Sequence, residues 1–265
     1  MQIISVILAI PITVILVMLI KKIKKDNSFP KGSIARMLVL GAVAMILASV
    51  CSVAVGIIRT IMAVGIDAFS SVSLQDQQSI NELAEQIIKV SNEHGASLPK
   101  IIVSTFITIG VVEEIFKFLM MTIAAKKNDT AKTWFDMVLV GALVGLGFQL
   151  FEDITYSNGS IMVAVVRALT PFHFVFGVIM GYLYGRAKAE KKGWMTILAI
   201  LIPSLIHSVY DSSVTALQKD DSYLIFELVC IVVMLTLFVL SILKIKKWHK
   251  NKELDVRLYM TENRQ

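Results

Sequence analysis

Three ionisable side chains, Glu113, Glu114 and Lys117, stand in the middle of an otherwise apolar stretch, residues 101–125. At the centre of a membrane helix each such group costs about 2.5 to 3.5 kcal/mol, while each Leu, Ile, Val or Phe returns about 0.3 to 0.6 kcal/mol. Inserted alone the stretch would be close to break-even, so its charges need polar partners on other helices. Candidates occupy the apolar stretches that follow: Glu152, Asp153, Arg167, His173, His207 and Asp211. Helical spacing places Glu113 and Lys117 (i,i+4), Glu114 and Lys117 (i,i+3), and His207 and Asp211 (i,i+4) on shared faces. Adjacent Glu113 and Glu114 point about 100° apart, which argues against a shared-proton dyad. One is expected to activate water while the other pairs with Lys117 or Arg167, and Glu113 is assigned as the base. His173, His207 and Glu152 could hold Zn²⁺ and activate its water, or the histidines could act without metal as base partner and oxyanion donors. No HExxH is present, and histidines on separate helices offer no spacing test, so both alternatives stand. A nucleophilic Ser or Cys is disfavoured: there is no GxSxG elbow, and neither Cys51 nor Cys230 has a basic neighbour.

These groups need a scaffold of apolar helices. The 265 residues are 56% hydrophobic and 17% charged, with mean hydropathy +0.73, values of a polytopic membrane protein. The net charge of +6 comes from short Lys and Arg clusters beside apolar runs, with no nucleic-acid motif. At about 20 residues per crossing the chain divides into seven predicted spans: 3–20, 34–58, 101–125, 135–156, 161–185, 194–217 and 223–245. Nearly all loop Lys and Arg fall on one alternate set of loops, which is therefore cytoplasmic; the N-terminus is then outside and the C-terminus inside. The predicted fold is an all-α transmembrane bundle in the cell membrane. Residues 1–247 form a single domain, with a motif-bearing core over 101–217 and an external loop over 67–100, followed by a basic cytoplasmic tail, 248–265. Leu83, Ile87, Ile88 and Val90 give the external loop an amphipathic helix. Pro171 and Pro203 are expected to kink the fifth and sixth spans beside His173 and His207. Glycines at four-residue spacing (141 and 145; 177, 181 and 185) mark closely approached interior faces. The first and seventh spans, which read as free of charge, are expected to stand outside a polar chamber built by spans three to six, where Glu113, Glu152, His173 and His207 converge.

Four blocks, each on its own predicted span, carry a resemblance: Glu113-Glu114-x-x-Lys117; Gly145-x-Gly147-Phe148-x-x-x-Glu152-Asp153-x-x-Tyr156; Pro171-x-His173-x-x-x-Gly177; and His207-x-x-x-Asp211. Over about residues 101–215 the chain resembles the PrsW family of intramembrane proteases, grouped with the CAAX-processing and bacteriocin-processing membrane peptidases. The resemblance implies a membrane-embedded hydrolase that makes the first cut in a single-span membrane protein, anti-sigma factors being the known type of substrate. It carries catalytic roles to Glu113, Glu114, Glu152, His173 and His207, leaving Lys117, Arg167, Asp211 and Asp153 in support. Relatives acting on prenylated proteins carry an Arg after the paired Glu, a His in place of Glu152 and an Asn in place of Asp211. This chain therefore looks like the PrsW branch, although Asp153 stands where many of its sequences have Asn. Two other readings fit intramembrane charge. A proton-coupled carrier would show inverted repeats, which the sequence lacks, and a seven-span receptor would tolerate loss of the carboxylates.

Overall fold

The structure, a computed structural model, describes residues 2–24, 29–73, 76–94, 97–127, 130–155, 167 and 170–250. Its regular elements are helical: α1 (Gln2–Ile23), α2 (Ser33–Val64), the short α3 (Ile66–Ser70), α4 (Gln77–His94), α5 (Leu98–Thr105), α6 (Val111–Lys126), α7 (Trp134–Thr155), α8 (Phe172–Ala189), α9 (Trp194–Leu217) and α10 (Leu224–Lys250). A π-helical turn, Phe106–Gly110, joins α5 to α6, and a 3₁₀ turn, Asp221–Tyr223, leads into α10. By length and composition α2, α7, α9 and the stretch Asp221–Lys250 can cross a membrane. Helices α1, α5–α6 and α8 lie at the remaining predicted spans.

Helix α7 is the axle of the bundle. Its sequence is apolar all round rather than on one stripe, the pattern of a helix enclosed by protein. Every residue from Trp134 to Gln149 is buried, with α8, α2, α1 and α6 packed around it. A reciprocal cap starts it: the Asp136 backbone N–H donates to Thr133 Oγ1 (3.1 Å), while Asp136 Oδ2 accepts from the Thr133 N–H (3.0 Å). Lys24 Nζ then ties Asp136 Oδ1 to the end of α1 at 2.6 Å. The seam between α7 and α8 is backbone against backbone. A Cβ built on Gly177 would lie 2.1 Å from the Gly141 carbonyl oxygen, and one on Gly145 would lie 2.0 Å from that of His173, so only glycine permits the approach.

Three expectations change. Pro171 does not kink a helix; it sits at the N-cap of α8, where a missing N–H leaves no bond unmade, and His173 falls in the first turn. Pro203 does lie inside α9. The last helix is not charge-free, because Glu227 occupies the first turn of α10 and is buried. Helix α10 also runs past residue 247, with Trp248 stacked on Tyr182 at 4.9 Å and edge-on to Trp134 at 5.5 Å. The predicted amphipathic helix is α4; Leu83, Ile87 and Val90 are half-buried toward α2 and α5, while Ile88 faces out. Tyr156, the 157–160 loop and residues 251–265 of the tail lie outside the described residues.

Candidate active site

Four helices deliver the polar groups to one place. Helix α6 begins just beyond the π turn, where Gly110 is pressed against α9: a Cβ there would lie 2.1 Å from Ser208 Oγ. That contact sets Glu113 and Glu114, in the first turn of α6, against the middle of α9. Glu114 and Lys117 are almost fully buried, at 0% and 1% exposure. Burial of this kind requires close pairing, which Lys117 and Glu114 Oε1 have, although Glu114 Oε2 is left without a hydrogen bond. Lys117 Nζ lies 2.6 Å from Glu114 Oε1, 2.6 Å from His173 Nδ1 and 3.4 Å from Glu113 Oε2, and sits 4.0 Å above the Phe148 ring.

An ammonium has only donors, so His173 Nδ1 accepts and its Nε2–H donates to Glu152 Oε2 at 2.8 Å. The backbone N–H of His173, one of the orphan donors of a first helical turn, donates to Gln149 Oε1 at 3.2 Å. Gln149 Nε2 donates in turn to Asp153 Oδ1 at 2.8 Å. Arg167 closes this side, with Nη2 2.8 Å from Glu152 Oε2 and Nε 3.0 Å from Asp153 Oδ1. Across the site, His207 Nδ1 lies 3.1 Å from Glu114 Oε1, and its Nε2 lies 3.1 Å from Asp211 Oδ2 and 3.8 Å from Glu113 Oε2. The two imidazoles are edge to face with centroids 5.0 Å apart, and Phe176 stacks on His207 at 5.0 Å.

The candidate catalytic and supporting residues Glu113, Glu114, Lys117, Glu152, Asp153, Arg167, His173, His207 and Asp211 thus lie in one connected network of α6, α7, α8, α9 and Arg167. Within the first block, Lys117 takes Glu114 as its short partner rather than Glu113. A side chain reaching back three residues along the helix leads directly to Glu114 Oε1, and Glu113 Oε2 is left buried without a hydrogen bond.

Sequence reasoning passed over Gln149 and Glu227. Gln149 is one turn before Asp153 and is the single amide in a buried helix, a signal visible in the sequence. Glu227 was hidden by its place near a span end, where carboxylates commonly reach water; here it accepts a hydrogen bond from Ser213 Oγ. A cavity of 650 Å³ opens beside the network, lined by Glu113, Glu152, Arg167, Tyr210 and Asp211 and, on its far side, by Ser49, Ser52, Thr108, Glu227 and Ile231. Its walls therefore include α2 and α10 as well as the central helices.

The donor set also fits a metal ion. Ligand atoms of Glu113, His173 and His207 lie within 4.8 Å of one another. Two imidazoles and a carboxylate are the donors of a catalytic zinc site, and the orphaned Glu113 Oε2 is an oxygen such an ion would satisfy. Glu114, holding His207 at Nδ1, has the position of a carboxylate that orients a ligating histidine.

The model of a family described as PrsW family intramembrane metalloproteases matches residues 29–241. A protein described as Protease PrsW from Halalkalibacterium halodurans is 36% identical over 152 residues, covering 55% of this chain and 67% of that protein. Another of the same description from Bacillus subtilis is 36% identical over 129 residues, 46% of this chain and 58% of its own length. A third, from Oceanobacillus iheyensis, is 30% identical over 158 residues, 57% and 70% of the two chains. No solved structure matches the chain.

Proposed function

The chain belongs to the PrsW family of intramembrane metalloproteases, a multi-pass cell-membrane peptidase whose substrate is a membrane protein, and from that premise we propose how its residues divide the work. Glu113, His173 and His207 would hold a zinc ion, which when bound would supply Lewis acidity for the carbonyl and water of a peptide hydrolysis. Glu152 is the general base. Its Oε2 is fixed by Arg167, and by His173 Nε2 until a metal takes that nitrogen, while Oε1 has no hydrogen bond among the described residues and belongs to the cavity wall. The water proton goes to Glu152 as the oxygen bonds to the peptide carbon, and it passes to the leaving amine as the C–N bond breaks. Asp153 and Gln149 hold Arg167 and the His173 backbone. Lys117 at His173 Nδ1 and Glu114 at His207 Nδ1 orient the two rings, so that the Nε2 atoms, which face Glu152 and Asp211, are the ones a metal would take.

Seven crossings with the N-terminus outside put the cavity mouth, near Thr215, Gln218 and Glu227, toward the outer face. The substrate is a single-span protein such as an anti-sigma factor, cut on its outer side or in the outer half of its span. One observation carries the reading: Glu113 Oε2, buried without a hydrogen bond and paired with the Lys117 ammonium at 3.4 Å, lies beside two imidazoles in the wall of a cavity large enough for an extended peptide segment. Zinc content and cleavage of a single-span substrate, measured on the same preparations, test it. Glu113→Gln should lose metal and activity together, whereas Glu152→Gln should keep the metal and lose activity. Metal retained in Glu113→Gln with activity gone would return the base to Glu113.

A further inference from the structure

A second cavity, of 350 Å³, lies at the other side of Thr215, where the ends of α2, α5 and α9 and the inner face of α4 meet. Its polar lining is Arg59, Thr60, Ser104, Thr105, Thr215 and Lys219, with no carboxylate among the described residues. Arg59 is half-buried and uses one nitrogen, Nη1, to donate to Ser104 Oγ at 2.7 Å; no acidic side chain pairs with it among the described residues. Lys219 is exposed and likewise has no carboxylate partner among them. Its neighbour Asp220 is turned away, accepting the Ser222 backbone N–H at 2.8 Å, a bond that holds its carboxyl below the ordinary aspartate pKa.

Two cations facing one hollow with no counter-ion among the described residues repel each other and lack a partner that folded proteins ordinarily supply. A planar guanidinium with one edge fixed keeps further N–H donors in the fork geometry that suits phosphate oxygens, and a lysine adds a mobile point charge. Hydroxyls of Thr60, Ser104 and Thr215 complete a polar rim, while Gly56, Ile87, Val90 and Ile101 make the remaining wall apolar. Charge at one end and hydrocarbon at the other is the chemistry of a lipid headgroup at the membrane boundary, though a free phosphate would satisfy the same cations.

We propose that the hollow between Arg59 and Lys219 is a phosphate-binding site, filled by the headgroup of an anionic phospholipid or by free phosphate. Occupancy would bind α2, α5 and α9 together beside the catalytic cavity, which shares Thr215 with this one. This inference is independent of the division of labour proposed for the peptidase, because it is read by binding alone.

The purified full-length protein in detergent is titrated with phosphatidylglycerol, phosphatidylcholine and inorganic phosphate, and bound species are counted by native mass spectrometry. Phosphatidylglycerol should bind one molecule more tightly than phosphatidylcholine. Arg59→Gln and Lys219→Gln should each weaken that binding about five-fold. Arg59→Lys, which keeps the charge, should lose less, and Lys192→Gln, an exposed cation at the opposite end of the bundle, should change nothing. Inorganic phosphate binding as tightly as phosphatidylglycerol, with the same sensitivity to both substitutions, would identify the free ion as occupant. Affinity for every phosphate species unchanged by Lys219→Gln overturns the site; that residue is exposed and its loss leaves the fold intact, so this arm holds even if Arg59→Gln fails to fold.

Discussion

Helix α7 meets α8 through main chain, whereas α6 meets α9 through charged side chains. Along the first seam glycines bring carbonyls within reach of the opposite backbone, and nothing is free to adjust. Along the second, Glu113, Glu114, Lys117, His207 and Asp211 are long side chains whose contacts range from 2.6 to 3.8 Å, and one wall is an open cavity. The rigid seam holds His173 and Glu152 at a fixed separation, and the adjustable face is where water and a peptide can enter. Division of this kind is what a hydrolytic site in a membrane needs, since pre-organisation and access make opposite demands on packing.

The comparison breaks most completely at the seam. Gly177→Leu places atoms where the Gly141 carbonyl stands, so the protein should fail to accumulate in the membrane, while Gly56→Leu, with nothing near its Cβ position, should accumulate normally. Quantitative immunoblotting of membranes checks both.

At the reacting groups that the seam holds, the fold should survive and the chemistry should not. Glu152→Gln keeps shape and hydrogen bonding but cannot take a proton, so cleavage should fall about 10²-fold or more with the thermal midpoint near that of the parent. A cleavage assay paired with a melting curve reads the two quantities separately.

Lys117 belongs to both regions, because it bridges α6 to the His173 end of α8. Lys117→Met leaves Glu114 buried beside His207 alone, a loss of about 3 to 5 kcal/mol by analogy with broken buried pairs. Reduced abundance and a lower denaturation midpoint are expected, with residual activity per folded molecule.

The smallest effect is expected at Glu227, on the far wall of the cavity and in contact with Ser213 rather than with the network. Glu227→Gln should change KM for a substrate by a few-fold and leave kcat close to the parent value, which steady-state kinetics on a detergent-solubilised substrate would show. A fall in kcat as large as that of Glu152→Gln would place Glu227 in the chemistry and erase the distinction between wall and floor.

Much of this arrangement is legible in the sequence, for a physical reason. Charge is so costly in an apolar helix that Glu113, Lys117, His173 and His207 announce themselves by residue type alone. Glycine spacing likewise marks the α7–α8 seam, because nothing else lets two backbones approach so closely. What the sequence does not carry is which group pairs with which. Glu113 and Glu114 both lie within one turn of Lys117, and only the position of α9, with His207 reaching Glu114, separates them. Pro171 misleads for a related reason: proline reads as a kink within an apolar run and as a cap at its start, and Arg167, four residues earlier, reads as one more intramembrane charge rather than as a break. Glu227 is concealed because the same residue near a helix end is ordinary at a water boundary and informative only beside a cavity.

The π turn at Phe106–Gly110 makes residue count itself a functional variable. Each residue added to or removed from a helix turns everything beyond it by about 100° and shifts it by about 1.5 Å. With its wider turn, this segment sets the outer rod α5 and the inner rod α6 in phase with different neighbours: Ser104 faces Arg59 on α2, while Glu114 faces His207 on α9. Deleting a single residue from 106–110 would close the turn to an ordinary α-helix and put the two rods out of phase, carrying Ser104 away from Arg59 even if no side chain of the network were altered. Chains of this architecture can therefore vary the residue types at 106–109 far more freely than the length of the segment, while Gly110 stays fixed by its contact with α9.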